Sequence, residues 1–251
     1  MKRTTVDPIL ISLKLFLLAV ALLLASGCEL ADVPKDIVGT MDHVVHGVVY
    51  VGVAVNPPWT LLEPEPDGRG DSVPRGVEVA LVEAFADQLD ADIVWVFGAP
   101  SDLLAALEER ELDLVIGGFV SGSPALAEVS VTQTYYTEEI IVAVANSASA
   151  FDDIAGREIA VPIGSKTAAL VSSEGGAPVR IAELSAEDVP LAAPAWLAEA
   201  WGLYPTPIEL EEREHVMAVP PGENAWIVEV DLFLKAHGDE VHEELVVNDA
   251  E

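Results

Sequence analysis

Two short apolar runs, Leu-Asp-Leu-Val-Ile at 112–116 and Ile-Ile-Val-Ala-Val at 140–144, dominate the middle of the chain. Each is too short for a buried helix, and each is bounded by small or polar residues, so each reads as a strand covered on both faces. The first run empties into Gly117-Gly118-Phe119 and the polar loop Ser121-Gly122-Ser123-Pro124. The second is preceded by the pair Tyr135-Tyr136. Upstream, a strand at 48–55, an amphipathic helix at 76–86, a strand at 92–97 and a helix at 101–109 lead back to residue 112. That alternation implies a parallel sheet with helices on its faces, in which ligands bind outside the carboxyl ends of the strands. Asn56-Pro57-Pro58-Trp59 and residues 117–123 both fall at such ends. Proline ends the first strand and holds Trp59 on a loop, where its ring offers apolar contact and a face for a cation.

The amino terminus has a different character. Lys2 and Arg3 precede an apolar run at 15–25, followed by Ala25-Ser26-Gly27-Cys28. The run is shorter than the roughly 20 apolar residues a spanning helix takes, and its flanks are those of a secretory signal. Cys28 is the only cysteine, so no internal disulfide forms. The formal net charge is −31, with a sequence half hydrophobic. Such a charge repels nucleic acid and anionic lipid, while the hydrophobic content argues against disorder. Its simplest meaning is an acidic, solubilising surface.

Several other features carry little. His43 and His46 have metal-ligand spacing on a short helix, but no third ligand lies near them, so no metal is expected. Arg69-Gly70-Asp71 sits in a polar Gly/Pro turn at 63–74 and reads as a chance match. His215, His237 and His242 have no partner fixed by the sequence and are read as structural or exposed.

The two strands, the small-residue loop and the Tyr pair resemble the core of the periplasmic solute-binding proteins of ABC transporters, family three, the polar-amino-acid class. The resemblance implies an α/β, periplasmic-binding-protein-like type II fold, with two lobes of parallel-rich sheet around a ligand cleft. Under it, residues 1–27 are a signal peptide, and Ala25-Ser26-Gly27-Cys28 resembles a lipobox with Cys28 lipidated. Residues 28–47 are a spacer and short helix; 48–133 with 222–251 form lobe 1; 134–221 form a shortened lobe 2. The crossings lie near Thr134 and Pro221. The resemblance implies ligand contacts from Asn56, Trp59, Glu78, Gly118, Phe119, Ser121, Ser123 and Tyr135, with Ser165, Lys166 and Thr167 from lobe 2. Gly164-Ser165-Lys166-Thr167 also stands where a strand opens into a helix, an arrangement that presents N–H groups and hydroxyls.

The family pattern is broken in two places. Its loop after the third strand carries an arginine that clamps the ligand's carboxylate; ungapped alignment from the Tyr pair puts Ala125 there, and no Arg or Lys occurs between Glu111 and Ala150. Its acid-bearing strand in lobe 2 is missing, residues 188–203 reading instead as a helix with Trp196 and Trp201. A strand at 209–219 returns to lobe 1, a last helix spans 225–236, and an acidic tail follows.

The expected function is that of an exported, lipid-anchored monomer in the periplasm or at the cell surface. It captures a small polar solute by hinge closure, neutral or cationic if Trp59, Glu78 and the acidic field decide and anionic if Lys166 does, and hands it to an ABC permease. No cofactor is expected, and no nucleic-acid partner. A non-transporting sensor or accessory lipoprotein is the alternative. A dehydratase-like enzyme on the same fold would need Glu78 as its cleft acid.

Overall fold

The computed structural model describes residues 34–64 and 72–249. Residues 1–27, expected to be a signal peptide, together with Cys28, the start of the spacer and Arg69-Gly70-Asp71, lie outside the described residues. Among the described residues no helix is long and apolar enough to cross a membrane.

A short helix α1 (Thr40–Val44) leads into β1 (Val48–Val53), the hairpin β2 (Leu61–Glu63) and β3 (Val73–Arg75), and helix α2 (Val77–Leu89). Then follow β4 (Asp92–Phe97), α3 (Pro100–Glu108), β5 (Leu114–Val120), β6 (Ser130–Val131) and β7 (Tyr136–Val144). The second part contains β8 (Glu158–Pro162), α4 (Thr167–Ser173), β9 (Ala177–Ile181), β10 (Leu191–Pro194) and α5 (Ala195–Ala200). The long strand β11 (Tyr204–Val219) and helix α6 (Asn224–Asp249) close the chain.

The main sheet runs β4-β1-β5-β11-β7-β10-β8-β9, with β6 on the end of β11. In the first half β1 lies parallel between β4 and β5, with Val51 opposite Leu114 and Val53 opposite Ile116. In the second half β8 and β9 are parallel, and β10 joins them to β7. Strands β7 and β11 pair antiparallel from Tyr204↔Val144 to His215↔Tyr136 and carry the chain between the halves.

Each half has its own apolar core. Val51, Val53, Leu114, Ile116 and Met217 pack with Phe85 of α2 and with Trp226 and Phe233 of α6, while Leu103, Leu107 and Val115 fill the α3 side. In the second half Val142, Ile159, Val161 and Val171 cover one face, and Ala143, Leu191 and Ala193 the other. Each fully buried aliphatic or aromatic side chain contributes roughly 1.5–3 kcal/mol, so both halves hold together without a disulfide.

Three segments depart from the sequence reading. Residues 188–203 are not one helix: Leu191–Pro194 form β10, and only Ala195–Ala200 are helical. Alanine favours a helix, but Pro190 and Pro194 bracket the segment and withdraw two amide donors. Leu191, Ala192 and Ala193 are buried between β7 and β8. Strand β11 begins at Tyr204 rather than 209, with a register shift between Pro205 and Glu209 where the prolines cannot complete the ladder. The acidic tail continues the last helix to Asp249, because Val230, Leu234, Val241 and Leu245 keep an apolar stripe at helical spacing. Asp36 Oδ1 accepts the Ala225 and Trp226 N–H groups and caps that helix.

Candidate functional site: a cleft over the crossing strands

The loop after β1 is folded back on itself. Asn56 and Thr60 exchange backbone hydrogen bonds, and the Asn56 side chain donates to the Gly117 carbonyl at 2.9 Å, tying this loop to the end of β5. Gly118 has a φ of +62°, and a Cβ there would collide with the Trp59 ring and the Asn56 amide. The glycine is therefore what lets Trp59 lie across the end of β5.

Trp59 is buried on its other side as well. It stacks on the His215 ring at 3.9 Å between centroids and meets Tyr135 edge-on at 6.3 Å. Beneath it, the Glu78 carboxylate in the first turn of α2 is wholly buried and accepts the Gly117 and Gly118 N–H groups at 2.7 and 2.8 Å. Its other oxygen accepts the Tyr135 hydroxyl at 2.7 Å. Burial raises the Glu78 carboxyl above its usual range, against the pull of those donors.

Between the halves lies a cleft of about 450 Å3. Asn56, Trp59 and Gly118 line it from the first half, and Ser165, Lys166 and Trp196 from the second. Its floor comes from the crossing strands: Glu138 of β7 and Glu211, Arg213 and His215 of β11. Glu138 accepts the Trp196 indole N–H at 3.1 Å and Arg213 Nη1 at 3.3 Å, and His215 Nε2 lies 3.7 Å away. Burial would raise its carboxyl, but His215, Trp196 and Arg213 outweigh that and hold it below its usual range. Arg213 Nε also donates to Glu211 at 2.6 Å.

The profile of the bacterial extracellular solute-binding proteins, family 3, matches residues 49–242. The chain belongs to that family. No curated protein matches it by sequence. Solved structures give the same fold at low identity. An ancestral cationic amino acid solute-binding protein matches with TM-score 0.62 and 15% identity, over 82% of this chain and 96% of its own. The unliganded, open L-cystine receptor of Neisseria gonorrhoeae gives 0.61 and 17%, over 78% and 88%. An amino acid ABC transporter substrate-binding protein of Streptococcus pneumoniae bound to L-arginine gives 0.53 and 17%, over 82% and 97%. The type II periplasmic-binding fold expected from the sequence is thereby established.

Within this cleft, the structure brings together five of the residues singled out from sequence: Asn56, Trp59, Gly118, Ser165 and Lys166. The others stand elsewhere. Glu78 is sealed behind Trp59, and Tyr135 is buried with its hydroxyl on Glu78, so the acid on which the dehydratase alternative depended is not on the cleft wall. Phe119 packs toward the α3-side core. Ser121 is exposed and Ser123 half-buried, both outside the lining, and Thr167 is buried in the first turn of α4. Ser165 spends its hydroxyl on the Pro162 carbonyl.

Glu138, Trp196, Glu211, Arg213 and His215 were not anticipated. His215, read as an unpartnered structural or exposed histidine, is buried on the cleft floor beside Glu138. A usable signal was present: once 209–219 is a strand, residues 211, 213 and 215 share one face. The surrounding acidic run, Glu-Leu-Glu-Glu-Arg-Glu-His, masks it as a solvated surface. His43 and His46 serve separate acids, Asp113 at 3.0 Å and Asp90 at 3.2 Å. No group of three or more metal-type side chains occurs among the described residues.

Proposed function

We propose that this protein is the lipid-anchored receptor of an ABC importer, held at Cys28 outside the cytoplasmic membrane, which captures a small polar solute and presents it to a permease. The observation that carries this reading is the cleft, with a wall from each half and a charged floor on the two strands that join them. Closure of the halves about β7 and β11 would bring Lys166 and Ser165 toward Asn56 and Trp59. Lobe 1 is then 48–133 with 222–251, and lobe 2 is 134–221. Structural relatives bound to L-arginine, or named for L-cystine and for cationic amino acids, make an amino acid or a related polar compound the first solute to test.

The test is thermal unfolding of a soluble form beginning after Cys28, screened against amino acids, amines, sugars, carboxylates and metal ions. A ligand at 100 times its Kd adds about 2.7 kcal/mol, and at roughly 2–4 °C per kcal/mol the midpoint moves by several degrees. We expect one class to produce that shift and Trp59→Ala to abolish it. A sensor or accessory lipoprotein is the second reading, favoured by Ala125 at the clamp position and by an Arg213 already paired to two carboxylates. A screen with no shift would favour it.

A further inference from the structure

His215 is anomalous. Its side chain is 3% exposed, it lines the cleft, and neither ring nitrogen has a hydrogen-bond partner among the described residues. A neutral imidazole has one donor and one acceptor, and leaving either buried and unmet costs about 1–3 kcal/mol. Glu138 is too distant at 3.7 Å to satisfy it, and the face toward Trp59 offers only a stacked ring. Both nitrogens are covered as the ring stands, so a group in the cleft meets one of them only if the ring turns.

Arg213, two residues away on the same face of β11, is also incompletely used. Its Nε donates to Glu211 and its Nη1 to Glu138. A guanidinium has five N–H donors in a fixed fork, so the Nη2 edge keeps donors with no acceptor among the described residues. The two carboxylates hold the fork in place and aim it. The charged groups of the cleft balance: Glu138 and Glu211 against Arg213 and Lys166. In a chain of net charge −31, that local neutrality suits a dipolar ligand rather than a bare cation or anion.

We propose that Arg213 and His215 are the specificity-determining residues of the cleft. The head group of a zwitterionic amino acid is read on the crossing-strand floor, not at the loop after β5. Arg213 Nη2 takes the ligand carboxylate. On closure the His215 ring turns to accept from the ammonium, with Glu138 and Glu211 supplying the negative charge. This explains how the protein does without an arginine at position 125. It rests on the solute-capture reading above.

The experiment measures binding by calorimetry and thermal shift to the soluble chain, with each of the twenty proteinogenic amino acids, and with putrescine, succinate and glucose. The best amino acid is then compared with its methyl ester and its N-acetyl derivative. We expect an amino acid to bind, and both derivatives to bind at least 100-fold more weakly. Arg213→Gln should weaken the amino acid by a similar factor while leaving the residual affinity of the ester unchanged, and Arg213→Lys should restore only part of the loss. The ring signals of His215 in nuclear magnetic resonance should shift on binding. An ester that binds as well as the free acid, or an amino acid bound equally by wild type and Arg213→Gln, overturns the proposal. If putrescine, succinate or glucose binds and no amino acid does, solute capture stands and the head-group assignment falls. If nothing binds, both fall. Should Arg213→Gln fail to fold, Arg213→Lys decides: a preference for the free acid over the ester as large as in wild type overturns the proposal.

Discussion

Two buried glutamates flank the place where the chain first crosses between the halves, and they are held in opposite ways. Glu78 is bound only by neutral donors, two backbone N–H groups and the Tyr135 hydroxyl, and burial raises its carboxyl. Glu138 lies three residues beyond Tyr135 and is surrounded by the Trp196 indole, the Arg213 guanidinium and the His215 ring, which together lower it. Glu78 has no exposure and no accessible edge, so it joins α2, β5 and β7 into one unit. Glu138 faces the cleft with partners that a solute can share. One carboxylate fixes the wall and the other equips the floor.

The sharpest way to break this contrast is Glu78→Ala. It leaves three donors without an acceptor and opens a cavity beneath Trp59. We expect a loss of about 3–5 kcal/mol, a fall in the midpoint of roughly 10 °C or more, and altered tryptophan fluorescence. Glu78→Gln should lose much less, since one amide oxygen can accept both glycine N–H groups and the NH2 can donate to the Tyr135 hydroxyl oxygen. A loss under about 1 kcal/mol for Glu78→Ala in denaturant titration would show that the three contacts are not what holds this wall.

On the floor, Arg213→Met should cost less, about 1–2 kcal/mol. Removing one partner of a buried pair is destabilising, but Arg213 is a quarter exposed and the Trp196 indole still donates to Glu138. A loss as large as that of Glu78→Ala would mean that the floor is as structural as the wall.

The pH dependence of stability separates the two acids by sign. Glu138, lowered in the fold, contributes stability that is present above its unfolded value near 4.5 and lost as pH falls through the folded value. Glu78, raised in the fold, does the reverse: stability falls as pH climbs from about 4.5 through its higher folded value. Relative to wild type, Glu138→Gln should therefore flatten the acid side of the stability profile, and Glu78→Gln should remove a decline on the alkaline side of 4.5. Difference curves of the same sign would refute the assignment.

The halves were legible to different depths. Strands β1, β4 and β5 and helices α2 and α3 follow from apolar periodicity, because each buries one continuous stripe or run. Residues 191–194 were misread because local alanine content outweighed the two prolines, and the burial that makes them a strand comes from β7 and β8, far away in sequence. The site divides similarly. Asn56 and Trp59 are marked locally by the proline pair. Arg213 and His215 become cleft residues only through the antiparallel pairing of β11 with β7, which no local pattern announces. Glu78 was misplaced for a related reason, since a carboxylate in a first helical turn has the same sequence signature whether it faces solvent or, as here, two glycine amides.

Near the crossing, a third acid tests how far the contrast extends. Glu199 at the end of α5 accepts from His242 of α6 at 3.0 Å, and His242 Nδ1 meets the Tyr136 hydroxyl at 3.2 Å. This contact links the last helix to the second half outside the residues that line the cleft, yet Glu199 and His242 are 63% and 43% exposed. An exposed pair gains little, because water screens the attraction and two side chains must be ordered to make it. Glu199→Gln should therefore change stability by less than about 0.5 kcal/mol and leave solute affinity within twofold, with any effect shrinking at high salt. A larger, salt-resistant effect on affinity alone would show that the contact acts on the open–closed balance of the halves, and would place a control point beside the hinge as well as on the cleft floor.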